Sequence, residues 1–116
     1  MTISLEAVTF DCANATELAG FWAALLNQQV DADGNQYFAT VNKTGDGPAL
    51  MFIQVPEERA GKNRLHLDLA AADWAAEVDR IVGLGAKRVA EFDEYGVHWV
   101  TLADPEGNVF DLAETR

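Results

Sequence analysis

Residues 5–12, LEAVTFDC, alternate apolar and polar positions. Val8, Phe10 and Cys12 fall on one side and Ala7, Thr9 and Asp11 on the other, the pattern of a half-buried strand. The period then changes. In NATELAGFWAALL, Leu18, Phe21, Trp22 and Leu25 make a stripe at helical spacing, with Asn14 as N-cap and Glu17 three residues on. Gly34-Asn35 predicts a hairpin turn between short strands at 28–33 and 36–42, and TGDGP at 44–48 predicts a loop into the strand ALMFIQV. PEERAGKN has proline, glycine and charge without periodicity and reads as a connector.

The second half follows the same order. RLHLDL is a strand, 73–84 a helix with Trp74, Val78 and Ile81 on its apolar stripe, and 86–92 and 96–103 further strands. The turn DPEGN at 104–108 and the strand VFDLA close the chain. An offset of 57 lays Val8-Thr9-Phe10-Asp11-Cys12 over Leu65-His66-Leu67-Asp68-Leu69. The expectation is a single α+β domain over 1–116, built from two βαβββ modules (about 1–56 and 63–116) that form a cupped mixed sheet around a cavity, helices outside. In RLHLDL, the leucines point to the helix layer and Arg64, His66 and Asp68 share the other face.

Composition narrows the partners. A formal charge of −11, from 19 acidic and 8 basic residues, repels phosphate backbones and anionic membranes and favours a cationic ligand. No apolar run reaches the roughly 18–20 residues of a membrane span, and no basic segment precedes an apolar one after Met1, so no membrane partner and a cytoplasmic location are expected. Cys12 is the single cysteine and reads as a buried thiol. There is no glycine-rich phosphate loop, GxSxG elbow or paired-cysteine zinc pattern.

The doubled βαβββ order, VTFDCAN, TELAGFWAALL, GKNRLHLDL and above all LADPEGNVFDLAE resemble the vicinal oxygen chelate superfamily, which includes glyoxalase I, fosfomycin and bleomycin resistance proteins and extradiol dioxygenases. Within it, bacterial glyoxalase-like domains of unassigned activity are the nearest match. The resemblance implies a divalent metal held by His, Glu or Gln from the first and last strands of each half, and a homodimer. Carried onto this chain, the first ligand position falls on Ala7 and, at the offset of 57, its second-half equivalent on Arg64. The closing-strand ligand falls on Asp111, and that of ALMFIQV on Gln54 or Ile53.

An alanine and a permanently charged guanidinium at two corners point away from a metal. The expected function is therefore small-molecule binding without a metal or other cofactor, with Arg64 pairing Asp111 in place of the ion and Thr9, Asp11, Arg64, His66, Asp68, Trp99, Thr101 and Asp111 as ligand-binding residues. Three alternatives stay open: a divalent-metal lyase, isomerase or dioxygenase using Asp111 and Gln54, a metal-free acid/base enzyme using His66 with Asp68, and a dimeric interaction module with a vestigial cavity. Each side chain also has a plain structural role open to it: Arg64–Asp111 as a plug, His66 as a satisfied polar group, Trp99 as filler. Trp22 and Trp74 read as core, and His98, of opposite parity to Trp99, as packing or solvent-facing.

Overall fold

The computed structural model describes residues 3–58 and 60–115; Met1, on which the leader expectation rests, Thr2, Arg59 of the predicted connector and Arg116 lie outside the described residues. The chain is α+β and divides into two compact units, Met1–Arg59 and Ala60–Arg116, the boundary falling inside the connector.

Unit one contains β1 (Ala7–Cys12), α1 (Ala15–Leu25), β2 (Phe38–Val41) and β3 (Ala49–Gln54), with sheet order β1-β3-β2. β1 and β3 run parallel from Ala7↔Ala49, and β2 joins β3 antiparallel. The alternation in β1 has the predicted sense: Cys12 is buried, Thr9 and Asp11 are exposed, and Phe10 stacks on Phe52 of β3 at 5.0 Å and leans on Trp22 of α1 at 5.4 Å. Leu18, Phe21, Trp22 and Leu25 are buried as the helical stripe required. Asn14 caps the helix, its Oδ1 accepting from the Glu17 N–H at 3.0 Å.

The strand expected at 28–33 reduces to a single bridge between Val30 and Val41. Side chains satisfy the backbone instead of a ladder. The Asp31 carboxylate accepts from Thr40 Oγ1 and the Lys43 N–H, and Asn35 Oδ1 accepts from the Tyr37 and Phe38 N–H groups. Positive φ at Asn27 and Asp33 breaks the extended path at both ends of the segment.

Unit two contains β4 (Asp68–Ala71), α2 (Trp74–Gly83), β5 (Lys87–Glu94), β6 (Val97–Ala103) and β7 (Val109–Glu114), in sheet order β4-β7-β6-β5. Val78 and Ile81 of α2 are buried together with Val100, Leu102, Phe110 and Leu112 of the sheet. Trp74 is only half-buried; its Nε1 donates to the Leu112 carbonyl and its ring lies 4.2 Å from that of His98. RLHLDL is strand only from Asp68. Before that, Asn63 Nδ2 donates to the carbonyls of Leu65 and Val109 and takes the place of a ladder. No helix among the described residues is long and apolar enough to cross a membrane.

The edge strand β5 carries Lys87, Arg88, Glu91, Asp93 and Glu94 and a bulge at Val89, features that discourage addition of a further strand. Glu91 accepts from His98 Nε2 at 2.8 Å and from Arg88 at 2.9 Å. The His98 hydrogen bond first, then the charges of His98 and Arg88, hold its carboxyl below the ordinary 4.5.

Two outcomes test this arrangement. Phe52→Ala should lower unfolding free energy by about 3–5 kcal/mol in denaturant titration, since a fully buried aromatic leaves a cavity against Phe10; a loss under about 1 kcal/mol would deny Phe52 that place. Because Glu91 is depressed in the fold, its pairing favours the folded state above the carboxyl's unfolded value and is lost as pH falls through the folded one. NMR titration should place its midpoint below 4.5 and move it up in His98→Ala; a midpoint unmoved by that change would remove His98 as the cause.

Candidate functional site

The site begins with a turn. Asp104, buried at the end of β6, accepts through Oδ1 from the N–H groups of Glu106 and Asn108, while Asn108 Nδ2 reaches both of its carboxylate oxygens. Gly107, at φ 89°, supplies the left-handed step that a side chain would resist. This closed DPEGN loop fixes the β6–β7 register, so Thr101 lies opposite Asp111, and the parallel pairing of β4 places Asp68 opposite Asp111 on its other side.

One rung of the sheet thus carries Thr101, Asp111 and Asp68 in a row. Thr101 Oγ1 donates to Asp111 Oδ1 at 2.6 Å. His66, two residues ahead of β4, is brought over this rung where the Asp111 N–H bonds the Leu67 carbonyl. Its Nε2 stands 3.3 Å from Asp111 Oδ2 and 3.4 Å from Asp68 Oδ1.

The repeat register explains why His66 and not Arg64 occupies this place. The helix N-caps are Asn14 and Asp73, so the structural offset is 59 and not 57. At that spacing Ala7 corresponds to His66 and Thr9 to Asp68. The sequence overlay went wrong because alternating apolar residues match equally well when slid by two, a shift that preserves strand parity. Arg64 is exposed and makes no ion pair among the described residues, so the Arg64–Asp111 pair is not formed; the Asp111 carboxylate is occupied by His66 and Thr101.

Gln54, the conditional metal ligand, has the parity of buried Phe52 and donates to the Ala13 carbonyl, whereas Ile53 lies on the opposite side of β3. The parallel registers Thr9↔Met51 and Asp68↔Asp111 make Met51 the counterpart of Asp111. Thr9 and Asp11 belong to the exposed side of β1 in unit one; His66, Asp68, Trp99, Thr101 and Asp111 all belong to unit two.

Asp68, Asp111 and Trp99 line a cavity of about 330 Å³ in unit two, together with Glu94, Tyr95, Val97 and Ala113. Trp99 stacks on Phe92 at 5.0 Å with ring planes 20° apart. Glu94, Tyr95 and Phe92 were missed from sequence. The signal was the β5–β6 pairing, which sets Phe92 opposite Trp99 and Glu94 opposite Val97. Tyr95 and Gly96 both have positive φ, the two central positions of a tight hairpin. For a bulky side chain this conformation costs about 1–2 kcal/mol. It leaves the Tyr95 ring exposed at the cavity edge.

The three donor groups can be tested against a divalent cation. His66, Asp68 and Asp111 each offer an atom within 4.8 Å of the others. Contacts of 3.3 and 3.4 Å are long for hydrogen bonds to a carboxylate, which run about 2.7–2.9 Å when charge-assisted. Both fall in the ~3.0–3.5 Å separation of ligand atoms that each lie about 2.1 Å from one ion, and the two carboxylates offer oxygens within 4.8 Å of each other. One imidazole and two carboxylates suit a borderline cation such as Zn²⁺, Mn²⁺ or Fe²⁺. The donor set fits.

Comparison with known proteins agrees with this architecture. A crystal structure of a glyoxalase/bleomycin resistance protein/dioxygenase family enzyme from Burkholderia phytofirmans PsJN superposes with a TM-score of 0.82 at 16% identity, covering 98% of this chain and 100% of that one. The fosfomycin resistance protein FosX from Mesorhizobium loti gives 0.74 at 14% identity over 100% and 94%. A glyoxalase-related enzyme from Fulvimarina pelagi gives 0.75 at 13% over 98% and 89%. At these identities the likeness is one of fold. No curated protein matches the chain. The model of the glyoxalase-like domain matches residues 7–113, from the start of β1 nearly to the end of β7, and the chain belongs to that family, within the vicinal oxygen chelate superfamily.

Proposed function

We propose that the chain binds a small molecule in the unit-two cavity beside a divalent cation held by His66, Asp68 and Asp111. The observation that carries this reading is the convergence of those three donors, of which Asp68 and Asp111 line the cavity. When bound, such a cation supplies Lewis-acid polarisation of an oxygen on the bound molecule. The remaining roles fall to the chain. Thr101 holds Asp111 Oδ1 and so orients the carboxylate with Oδ2 toward His66, a positioning role. Trp99, braced by Phe92, gives the molecule a flat apolar wall. The specific reaction, whether lyase, isomerase or dioxygenase chemistry, follows from the molecule bound.

Ala7 and Met51 favour a second reading, the metal-free one drawn from the sequence. They stand in unit one where His66 and Asp111 stand in unit two, and neither supplies a charged or imidazole ligand. In that case His66, flanked by two carboxylates, holds or moves a proton of the ligand through Nε2.

Calorimetric titration of chelator-stripped full-length protein with Zn²⁺, Mn²⁺ and Fe²⁺ separates the two. Saturable uptake of a single ion is expected, with His66→Ala and Asp111→Ala each abolishing it and Thr101→Val weakening it by about tenfold. Absence of uptake by the wild type, or uptake unchanged in both ligand variants, would overturn the metal reading.

A further inference from the structure

The sheet register orders the cavity chemically along its length. Three successive rungs present their side chains on the same face, because every second residue of a strand does so. The first is Ala90, Thr101, Asp111 and Asp68. The second is Phe92, Trp99, Ala113 and Ala70. The third sets Glu94 opposite Val97 at the hairpin end. Thr101 and Val97 are four residues apart on β6, about 13 Å at the rise of a strand.

Polar donors therefore occupy one end, an aromatic pair and two alanines the middle, and a carboxylate the far end. The middle rung is aromatic on β5 and β6 and nearly bare on β7 and β4. That step from Trp99 down to Ala113 leaves room for a flat body against the indole. At the far end Glu94 makes no ion pair among the described residues, and Tyr95 beside it is held by a left-handed backbone at the cavity edge. The two-residue hairpin turn holds that conformation and fixes where the Tyr95 ring stands.

From this gradient we infer that the ligand of the cavity is an organic cation: a flat ring laid on Trp99 with an ammonium group directed to Glu94. The inference rests on the reading of this cavity as a small-molecule site and names the chemical class it takes. Trp99 and Tyr95 attract a positive charge through their ring faces, and Glu94 through its carboxylate. An anionic group at that end would meet Glu94 with nothing to offset it. The arrangement excludes by charge as well as attracting.

The test uses three probes that share one ring, 1-naphthylmethylammonium, 1-naphthalenemethanol and 1-naphthylacetate, titrated by calorimetry into full-length protein with and without Mn²⁺. The ammonium compound should bind about tenfold more tightly than the alcohol, and the acetate more weakly than either. Glu94→Gln should bring ammonium and alcohol within about twofold of each other, and Trp99→Leu should weaken both. Equal affinity for the three, preference for the acetate, an ammonium preference that survives Glu94→Gln, or no binding of any probe would overturn the inference. Failure of the metal reading shows separately: an ammonium preference in protein that takes up no Mn²⁺ supports the cation site and removes the ion.

Discussion

The register of the strands that carry Thr101 and Asp111 depends on one buried carboxylate. Asp104 accepts from two backbone N–H groups and from Asn108 Nδ2, and so closes the loop between β6 and β7 in a single register. A slip of one residue would turn Asp111 away from Thr101 and carry the closing strand's acid into the helix layer. The carboxylate is inexpensive to bury because its partners are preformed in the turn. The most specific sequence motif is therefore structural in its action, setting Thr101 opposite Asp111.

The two units show how far one supersecondary plan can diverge in content. Both place a parallel pair around a crossing helix, β1 with β3 and β4 with β7. Unit one fills the equivalent rung with Ala7, Thr9 and Met51, and its extra strand shrinks to the Val30 bridge. Unit two fills it with His66, Asp68 and Asp111. One plan, in a fold shared with a fosfomycin resistance protein, thus carries ionisable groups at this rung in one half and none in the other.

Much of this was legible in the sequence. Both helices, the hydrophobic stripe of α1, the alternation of β1 and the closing turn follow from period and turn chemistry, and the candidates His66, Asp68, Thr101, Asp111 and Trp99 all fall in unit two, three of them within reach of one another. What failed was register. Sliding the repeat by two keeps every apolar residue in phase, so hydrophobic pattern cannot distinguish 57 from 59, and only the helix caps Asn14 and Asp73 anchor the true spacing. That slip put Arg64 at the position that His66 holds, and the reading without a metal rested in part on it. The segments 28–33 and 64–67 looked like strands because alternation says nothing about whether a neighbour is present to pair with; Asp31 and Asn63 answer their backbone groups with side chains. Glu94 and Tyr95 escaped notice because their meaning comes from the strand across the hairpin and not from their own neighbours in the chain.

The bare middle rung has a consequence for how this cavity diversifies. Beside Trp99 that rung holds Ala113, which lines the cavity, and Ala70 next to it, side chains without a titratable group. Adding one or two carbons at either would shorten or narrow the space over Trp99 without disturbing the donors at one end or the carboxylate at the other. The size of the cavity and the charged groups at its ends thus rest on different positions of this sheet, and the first can change through substitutions that would pass, on any inspection of charged groups, as neutral.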